Sequence, residues 1–347
     1  MNSTHRLVGI VAVTALFAGA PAQAASLDGS PAGSIGWPGD QQQQQTEKFS
    51  KTVPLPKGGS LDLSNISGDI VITGGAGDQV VIDAVKRGKT AEDLKLVQIE
   101  VTASASRVEV RTQYPHERRN VNVSVDFTVS VPRGAGVTVR SVSGDLKVAT
   151  IDGALMADSV SGDVTITSAA KLESAKTVSG DVTVDSAGSE GDISFASVSG
   201  DVKLSQIKAR GVEANSVSGG VTLAEVTCSR ANVKSVSGDI VFGGPLAKGG
   251  RYMLQSHSGD VTLHVNDKTG FEVNVGTFSG DITSDLQIVS TFGGEGERGQ
   301  PGRKPKSGGP GQRLQGTFGD GGALLELTTF SGDVRIVSKT VTKVIKK

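Results

Sequence analysis

Ser159-Val160-Ser161-Gly162-Asp163-Val164 decides the fold, because close copies of this stretch recur along the chain. From Ser143 to Ser279 successive Ser-Gly-Asp cores start 18, 18, 20, 19, 19, 21 and 21 residues apart, counting the degenerate Ser218-Gly219-Gly220. The glycines of the intact cores are Gly68, Gly144, Gly162, Gly180, Gly200, Gly238, Gly259, Gly280 and Gly332. Their aspartates are Asp69, Asp145, Asp163, Asp181, Asp201, Asp239, Asp260, Asp281 and Asp333. A near-constant period of this size is typical of a solenoid.

The residues between the motifs alternate as β-strands do. Val164 and Ile166 share one face and Thr165 the other, and the same alternation follows most of the motifs. A second strand precedes each motif, as in Ile193-Ser194-Phe195. The pattern predicts an all-β protein: a single-chain parallel β-solenoid (a β-helix or β-roll) with coils of about 19 residues. Each strand should pair in parallel with its equivalent one period away.

The motif itself is best interpreted as a structural turn. Glycine tolerates a bend or a close approach of the neighbouring coil, and Ser and Asp side chains can bond nearby backbone amides. The alternative is a ladder of aspartates about 5 Å apart, whose repulsion calcium would relieve. Calcium prefers six or more oxygens, and Gly220 replaces one aspartate, so we expect no metal and no other cofactor.

The residue before each motif is also regular. It is Val142, Val160, Val178, Val198, Val217 and Val236, then His257, Phe278 and Phe330. A histidine facing a tight core would be costly. Either this position is partly exposed and forms an apolar stripe, or His257 lies where packing loosens near the end of the array. The sequence leaves both interpretations open.

Composition narrows the class of protein. The chain has 347 residues, a net charge of −1, 47 glycines and 4% aromatics, which suits a thin core and gives no electrostatic case for binding nucleic acid. Cys228 is the single cysteine, so no intramolecular disulfide can form, and we expect it to be packed as a small apolar residue.

The two ends differ from the repeats. Residues 1–24 resemble a secretory signal peptide: the apolar run Leu7 to Ala20 is too short to span a bilayer, and Ala22-Gln23-Ala24 fits a cleavage site. We therefore expect an exported chain without a transmembrane segment, located in the periplasm, at the outer surface or outside the cell. The expected organisation continues as a flexible leader (25–48), an irregular N-terminal β cap (49–139), regular repeats (140–292), a basic Gly-rich loop (293–322), and a last coil with a Lys-rich tail (323–347).

No catalytic constellation stands out. Of the three histidines after the signal, His257 lies next to Ser258, but adjacent strand residues point to opposite faces and make a poor nucleophile–base pair. Gly88-Lys89-Thr90 lacks the glycine-rich approach of a phosphate loop, although Arg87 to Leu96 has a helical look. We predict no enzyme, and neither catalytic, cofactor-binding nor metal-binding residues.

The repeated Ser-Val-Ser-Gly-Asp-Val phrase from Ser141 to Ile240 resembles the bacterial β-strand-repeat family of unknown function labelled "putative adhesin", also called the toastrack domain. Asn65 to Ile72, Gly250-Arg251-Tyr252, Thr277 to Ile282 and Thr329 to Val334 extend the likeness, which covers roughly residues 50–338. The family offers no catalytic residues.

Three functions are open at this stage. The first is an adhesin-like or envelope-scaffold module that presents an extended surface to an unidentified envelope protein or surface glycan. The second, also implied by the resemblance, is an envelope-stress or assembly scaffold acting through protein partners. The third is a polysaccharide-acting β-helix enzyme, which the shortage of Trp and Tyr disfavours.

Overall fold

The computed structural model describes residues 44–115, 121–265, 269–290 and 311–338. The expected signal peptide, nearly all of the leader, His116 and the Lys-rich tail after Ser338 lie outside them. The described part is all-β, and its strands join into one open sheet. One short helix, α1 (Ala91–Leu96), lies within the stretch that looked helical, and Thr90 caps it by accepting a hydrogen bond from the Asp93 amide at 3.1 Å.

Twenty-five strands follow one another in the described residues. The first nine are β1 (Gln45–Pro54), β2 (Ser60–Ser67), β3 (Ile70–Gly75), β4 (Gln79–Gly88), β5 (Gln98–Ala103), β6 (Arg107–Gln113), β7 (Val123–Pro132), β8 (Gly136–Ser143) and β9 (Leu146–Ser161). The next eight are β10 (Val164–Lys176), β11 (Val182–Gly188), β12 (Asp192–Ser197), β13 (Val202–Lys208), β14 (Gly211–Ser216), β15 (Val221–Ala224), β16 (Cys228–Ser237) and β17 (Ile240–Gly243). The last eight are β18 (Leu246–Ser258), β19 (Val261–His264), β20 (Phe271–Ser279), β21 (Ile282–Ser284), β22 (Val289–Ser290), β23 (Gln312–Phe318), β24 (Ala323–Ser331) and β25 (Val334–Val337).

Each repeat contributes one strand before the motif and one after it. Strands before the motif pair in parallel with each other, as β12 does with β14 and β14 with β16. Strands after the motif pair in the same way, as β11 does with β13 and β13 with β15. In this middle part the partner is the equivalent strand one period away, as the sequence predicts.

The alternation sorts side chains between core and solvent. Val164 and Ile166 are buried while Thr165 between them is partly exposed, and Ile193 and Phe195 are buried on the strand before the next motif. The core is thin and mostly aliphatic. Its largest fully buried side chains include Tyr252, whose hydroxyl donates to the Cys228 carbonyl at 2.7 Å and accepts from the Ala247 amide at 2.8 Å.

The glycines of the motif form a column of close backbone contacts. A Cβ on Gly162 would lie 2.2 Å from the Gly144 carbonyl oxygen, and one on Gly200 would lie 2.0 Å from that of Gly180. Gly162 has a φ of +137°, which a side chain would also disfavour. The same contact occurs at Gly219, so the degenerate copy keeps the residue on which the stack depends.

These contacts also reveal that the stacking order differs from the chain order at both ends. Gly332 meets Gly259 and Gly280 meets Gly332, so the last repeat in the sequence is inserted between the two that precede it. At the other end β2 lies between β6 and β8, and β3 lies between β7 and β9. The expected pairing with the next repeat along the chain is therefore wrong for the last repeat, whereas the N-terminal end lies in the stretch that was expected to be irregular.

Antiparallel strands cover the outermost repeats. β4 pairs with β7, β1 with β4, and β5 with β6, all antiparallel. At the other end β23 pairs with β20 and β22 with β23. Two predicted segments differ accordingly: β1 begins inside the expected leader, and the expected loop 293–322 contains β23, because both stretches supply antiparallel neighbours to a terminal repeat.

Replacing Gly200 with alanine tests the glycine column. The added Cβ would lie 2.0 Å from a backbone oxygen that cannot move without displacing the neighbouring repeat, so we expect the free energy of unfolding to fall by about 3 kcal/mol or more. Gly134 has no atom within 4 Å of its Cβ position and is the matched control, with an expected change within about 0.5 kcal/mol. Urea unfolding followed by circular dichroism measures both, and equal losses would contradict this role for the column.

Candidate functional site

The aspartates of the motif form a hydrogen-bonded ladder. The Asp163 amide donates to Asp145 Oδ1 at 3.0 Å, and the Asp181 amide donates to Asp163 Oδ1 at 2.9 Å. Asp126 begins the ladder by accepting from the Asp69 amide, and Gln312 ends it by donating to Asp281 Oδ1. Each carboxylate thus bonds the amide of the adjacent repeat, whereas the sequence suggested a bond within its own turn.

Two cationic side chains each bridge the Oδ2 atoms of two neighbouring aspartates of the ladder. Lys203 Nζ contacts Oδ2 of Asp181 at 3.1 Å and Oδ2 of Asp201 at 2.9 Å. Arg335 bridges Asp260 and Asp333 in the same manner, at 3.0 and 2.8 Å. The hydrogen bond from Lys203 holds the pKa of Asp201 below its usual value, and the same pair raises the pKa of Lys203. The repulsion along the ladder is therefore offset partly by backbone amides and partly by these side chains.

A second column of buried polar side chains lies two residues before the motif serines, and in most repeats its hydroxyl closes the corner from within; Ser141 and Ser159 make no such bond. Ser197 Oγ donates to the Gly180 carbonyl at 2.8 Å, and Thr177 Oγ1 donates to that of Gly162 at 3.0 Å. This role was not predicted from the sequence, although the pattern Ser/Thr-x-Ser-Gly-Asp is visible there. The other members with such a bond are Ser216, Ser235, Ser256, Thr277 and Thr329.

The residue between the buried hydroxyl and the motif points to solvent. We call these residues the pre-motif column; in stacking order they are Ile66, Val142, Val160, Val178, Val198, Val217, Val236, His257, Phe330 and Phe278. The apolar members are 42% to 52% exposed, although each lies next to a buried residue. The structure thus decides between the two earlier interpretations: the position forms an exposed apolar stripe. Nine steps of about 4.8 Å make it roughly 43 Å long.

One end of the pre-motif column is aromatic. The His257 and Phe330 rings stack with centroids 5.0 Å apart, and Phe330 and Phe278 stack at 4.8 Å with an interplanar angle of 4°. The inserted last repeat brings these three side chains together, because it places Phe330 between residues that are 21 positions apart in the sequence. Contiguous exposed apolar surface of this kind marks an interaction site more often than a scattered valine does.

Other reactive groups of the described part do not gather into a site. Burial raises the pKa of the Cys228 thiol to about 12, as expected for a packed cysteine. The described residues contain no group of three or more His, Cys, Asp or Glu side chains placed to hold a metal ion. The His257 ring stacks against Phe330, and Ser258 is exposed beside it.

Gly220 stands at the one position of the ladder that lacks an aspartate. It donates its amide to Asp201 Oδ1 at 3.0 Å but has no carboxylate to accept from the Asp239 amide. Replacing Gly220 with aspartate should restore this bond and raise the free energy of unfolding by about 1 kcal/mol. Its Cβ would approach the Asp239 carbonyl oxygen at 3.3 Å, a contact that a small shift accommodates.

Gly220→Ala is the control for the ladder, because it adds the same Cβ without the carboxylate. Thermal melts at neutral pH compare the two variants. An aspartate variant no more stable than the alanine variant would show that the amide-to-carboxylate bonds do not stabilise the stack.

Comparison with known proteins identifies similar structures at low identity. A "putative adhesin" from Bacteroides fragilis NCTC 9343 is 14% identical, covers 84% of this chain and 97% of its own, and has a TM-score of 0.41. A "putative lipid binding protein" from Parabacteroides distasonis ATCC 8503 is 10% identical over 63% and 90% of the two chains, with a TM-score of 0.42. A "putative adhesin" from Parabacteroides merdae ATCC 43184 is 8% identical over 84% and 96%, with a TM-score of 0.33. No curated protein sequence matches the chain.

A match to the sequence model of a protein family shows to which family this chain belongs. The model for Toastrack DUF4097 matches twice, at residues 28–193 and 155–336, so that together the two matches span most of the chain. The overlap falls within the regular repeats, where one motif can be aligned with the next. The resemblance found in the repeated phrase is confirmed: the chain belongs to the Toastrack DUF4097 family.

Proposed function

We propose that this protein is a non-enzymatic, exported, adhesin-like module that presents the pre-motif column as an extended binding surface. The observation that carries the proposal is the column itself: ten consecutive repeats expose a side chain at one position, and nine of those side chains are apolar. A single exposed valine needs no explanation, but a continuous row exposes apolar surface to water in every repeat.

We also infer that the strands form a single-chain parallel β-solenoid with an irregular N-terminal cap. The parallel register between successive repeats and the glycine column support this inference. The antiparallel β1, β4 and β5 support the cap. Such a scaffold suits the proposed function, because it repeats one surface position at a constant spacing.

Export agrees with the signal-like N-terminus, and no helix in the described ranges is long and apolar enough to cross a membrane. The unidentified partner is an envelope protein or a surface glycan. If the partner proves to be a signalling or assembly protein, the same surface would serve an envelope-stress scaffold. Cleavage of a polysaccharide by the purified chain would overturn the non-enzymatic part of the proposal.

Capture from an envelope extract tests the proposal. The expected mature chain, residues 25–347, would be compared with a triple variant of the pre-motif column, Val178→Ser, Val198→Ser and Val217→Ser. These side chains are exposed, so the fold should tolerate the changes, while loss of the apolar surface should reduce capture of the partner at least about tenfold.

The matched control changes three outward-facing threonines on the strands after the motif, Thr165→Ser, Thr183→Ser and Thr222→Ser. It should retain capture within about twofold, measured by quantitative mass spectrometry and glycan arrays. Equal capture by the column variant and the control would remove the pre-motif column as the binding surface.

We further propose that the protein needs no calcium. One oxygen of most ladder carboxylates already accepts a backbone amide, which leaves few free oxygens for a cation that prefers six or more. Thermal melts with and without a chelator should share one midpoint. A midpoint that falls on chelation and returns with added calcium would instead support a cation between the aspartates.

A further inference from the structure

We propose that the partner of the pre-motif column is a second copy of this chain, packed side by side in parallel with the two columns in contact. This inference rests on the proposed function and names the occupant of the same surface. Three properties of the column point to it: its spacing, the order of its residues, and the charges on its two sides.

The spacing selects partners that have the same period. Column residues recur about every 4.8 Å, the distance between neighbouring strands. An α-helix laid along the column would present one turn per about 5.4 Å and would drift by about one full step over the nine steps. An extended strand laid along it would present same-face residues about 6.7 Å apart. Another stack of paired strands stays in register along the whole length, as in the dry interfaces between paired cross-β sheets.

The order of residues favours a copy of the same chain in parallel. In that arrangement the aliphatic part of one column meets the aliphatic part of the other. His257, Phe330 and Phe278 meet the same three aromatic side chains of the second copy. An antiparallel arrangement would place this aromatic end against Ile66 and Val142 instead.

The charges on the two sides of the column point to the same orientation. The motif side carries the aspartate ladder, and the other side carries the exposed cations Arg140, Lys176 and Lys234 two residues before the column, of which Arg140 also contacts Asp62 of its own chain at 3.5 Å. A two-fold axis along the column brings these cations opposite the ladder of the second copy. In this arrangement equivalent repeats of the two copies lie at the same level. Arg140, Lys176 and Lys234 of one copy therefore lie opposite Asp145, Asp181 and Asp239 of the other. Asp158 is the acidic residue of that row and would lie opposite Asp163. A two-fold axis perpendicular to the column, which makes the copies antiparallel, would instead place the aspartate ladder of one copy against the aspartate ladder of the other.

The area sets the expected affinity. The column with one outward-facing residue on each side is about 13 Å wide and about 43 Å long, or about 560 Å² per copy. A standard stable interface buries about 800 Å² per partner, so the contact should be weak and depend on concentration. Many copies displayed on one surface would strengthen it through avidity.

Analytical ultracentrifugation of the mature chain from about 1 to 500 µM should show a monomer–dimer equilibrium, as expected for an interface of this size. The column variant Val178→Ser, Val198→Ser and Val217→Ser should weaken dimerisation at least about tenfold, and the threonine control should change it less than about twofold. Circular dichroism melts establish that both variants are folded. A chain that stays monomeric throughout, or a column variant that dimerises as the original does, would overturn the inference.

Disulfide formation tests the orientation. In the parallel arrangement Val142→Cys lies against Val142→Cys of the second copy, so this variant alone should form a cross-linked dimer on mild oxidation. The unchanged chain is the blank, because its one cysteine, Cys228, is buried and its pKa is raised to about 12. If cross-links formed only in a mixture of Val142→Cys with Phe330→Cys, the two positions that face each other when the columns run in opposite directions, the copies would be antiparallel and the inference would be wrong.

The two proposals fail separately. Suppose that the chain stays monomeric but the column variant still loses capture of an envelope component. This result would refute the second copy as the partner, while the column would remain the binding surface. A chain that neither dimerises nor loses capture in the column variant would refute both.

Discussion

The whole stack depends on how closely the motif glycines approach one another. At Gly144, Gly162 and Gly180 a Cβ would lie 2.2 to 2.3 Å from the carbonyl oxygen of the preceding glycine. This contact lets neighbouring corners pack at the distance that parallel strand pairing imposes. Because no other residue fits, glycine persists even in the degenerate copy Ser218-Gly219-Gly220, where the aspartate does not.

The corner is polar inside a thin apolar core, and most of its groups bond one another between repeats, with the buried hydroxyls of Ser141 and Ser159 as exceptions. A serine or threonine hydroxyl bonds the glycine carbonyl of the adjacent repeat, and an aspartate oxygen accepts the adjacent aspartate amide. Each bond adds little by itself, but leaving a buried carbonyl unpaired would cost more than the bond contributes. The aspartates are therefore retained despite their mutual repulsion, which Lys203 and Arg335 reduce at two places.

Much of the fold follows from the sequence, because the motif period and the alternation of apolar residues report local geometry. The burial of Val164 and Ile166 and the parallel register of the middle repeats are direct consequences. The stacking order at the ends could not be predicted, since Ser331-Gly332-Asp333 has the same pattern whether it follows Gly280 or lies between Gly259 and Gly280. Likewise, β23 lies in a Gly-rich stretch and pairs only because the terminal β20 leaves an edge.

The exposure of the pre-motif column follows from the same corner. The hydroxyl before it must turn inward to reach the glycine carbonyl, as Ser197 does, so the next residue, Val198, must turn outward. Nothing in this constraint requires that outward residue to be apolar, and a polar side chain would cost no core packing. β-branched valine suits a strand, so the phenylalanines are the members of this row that the fold explains least, and the contact with another molecule that we propose would account for them.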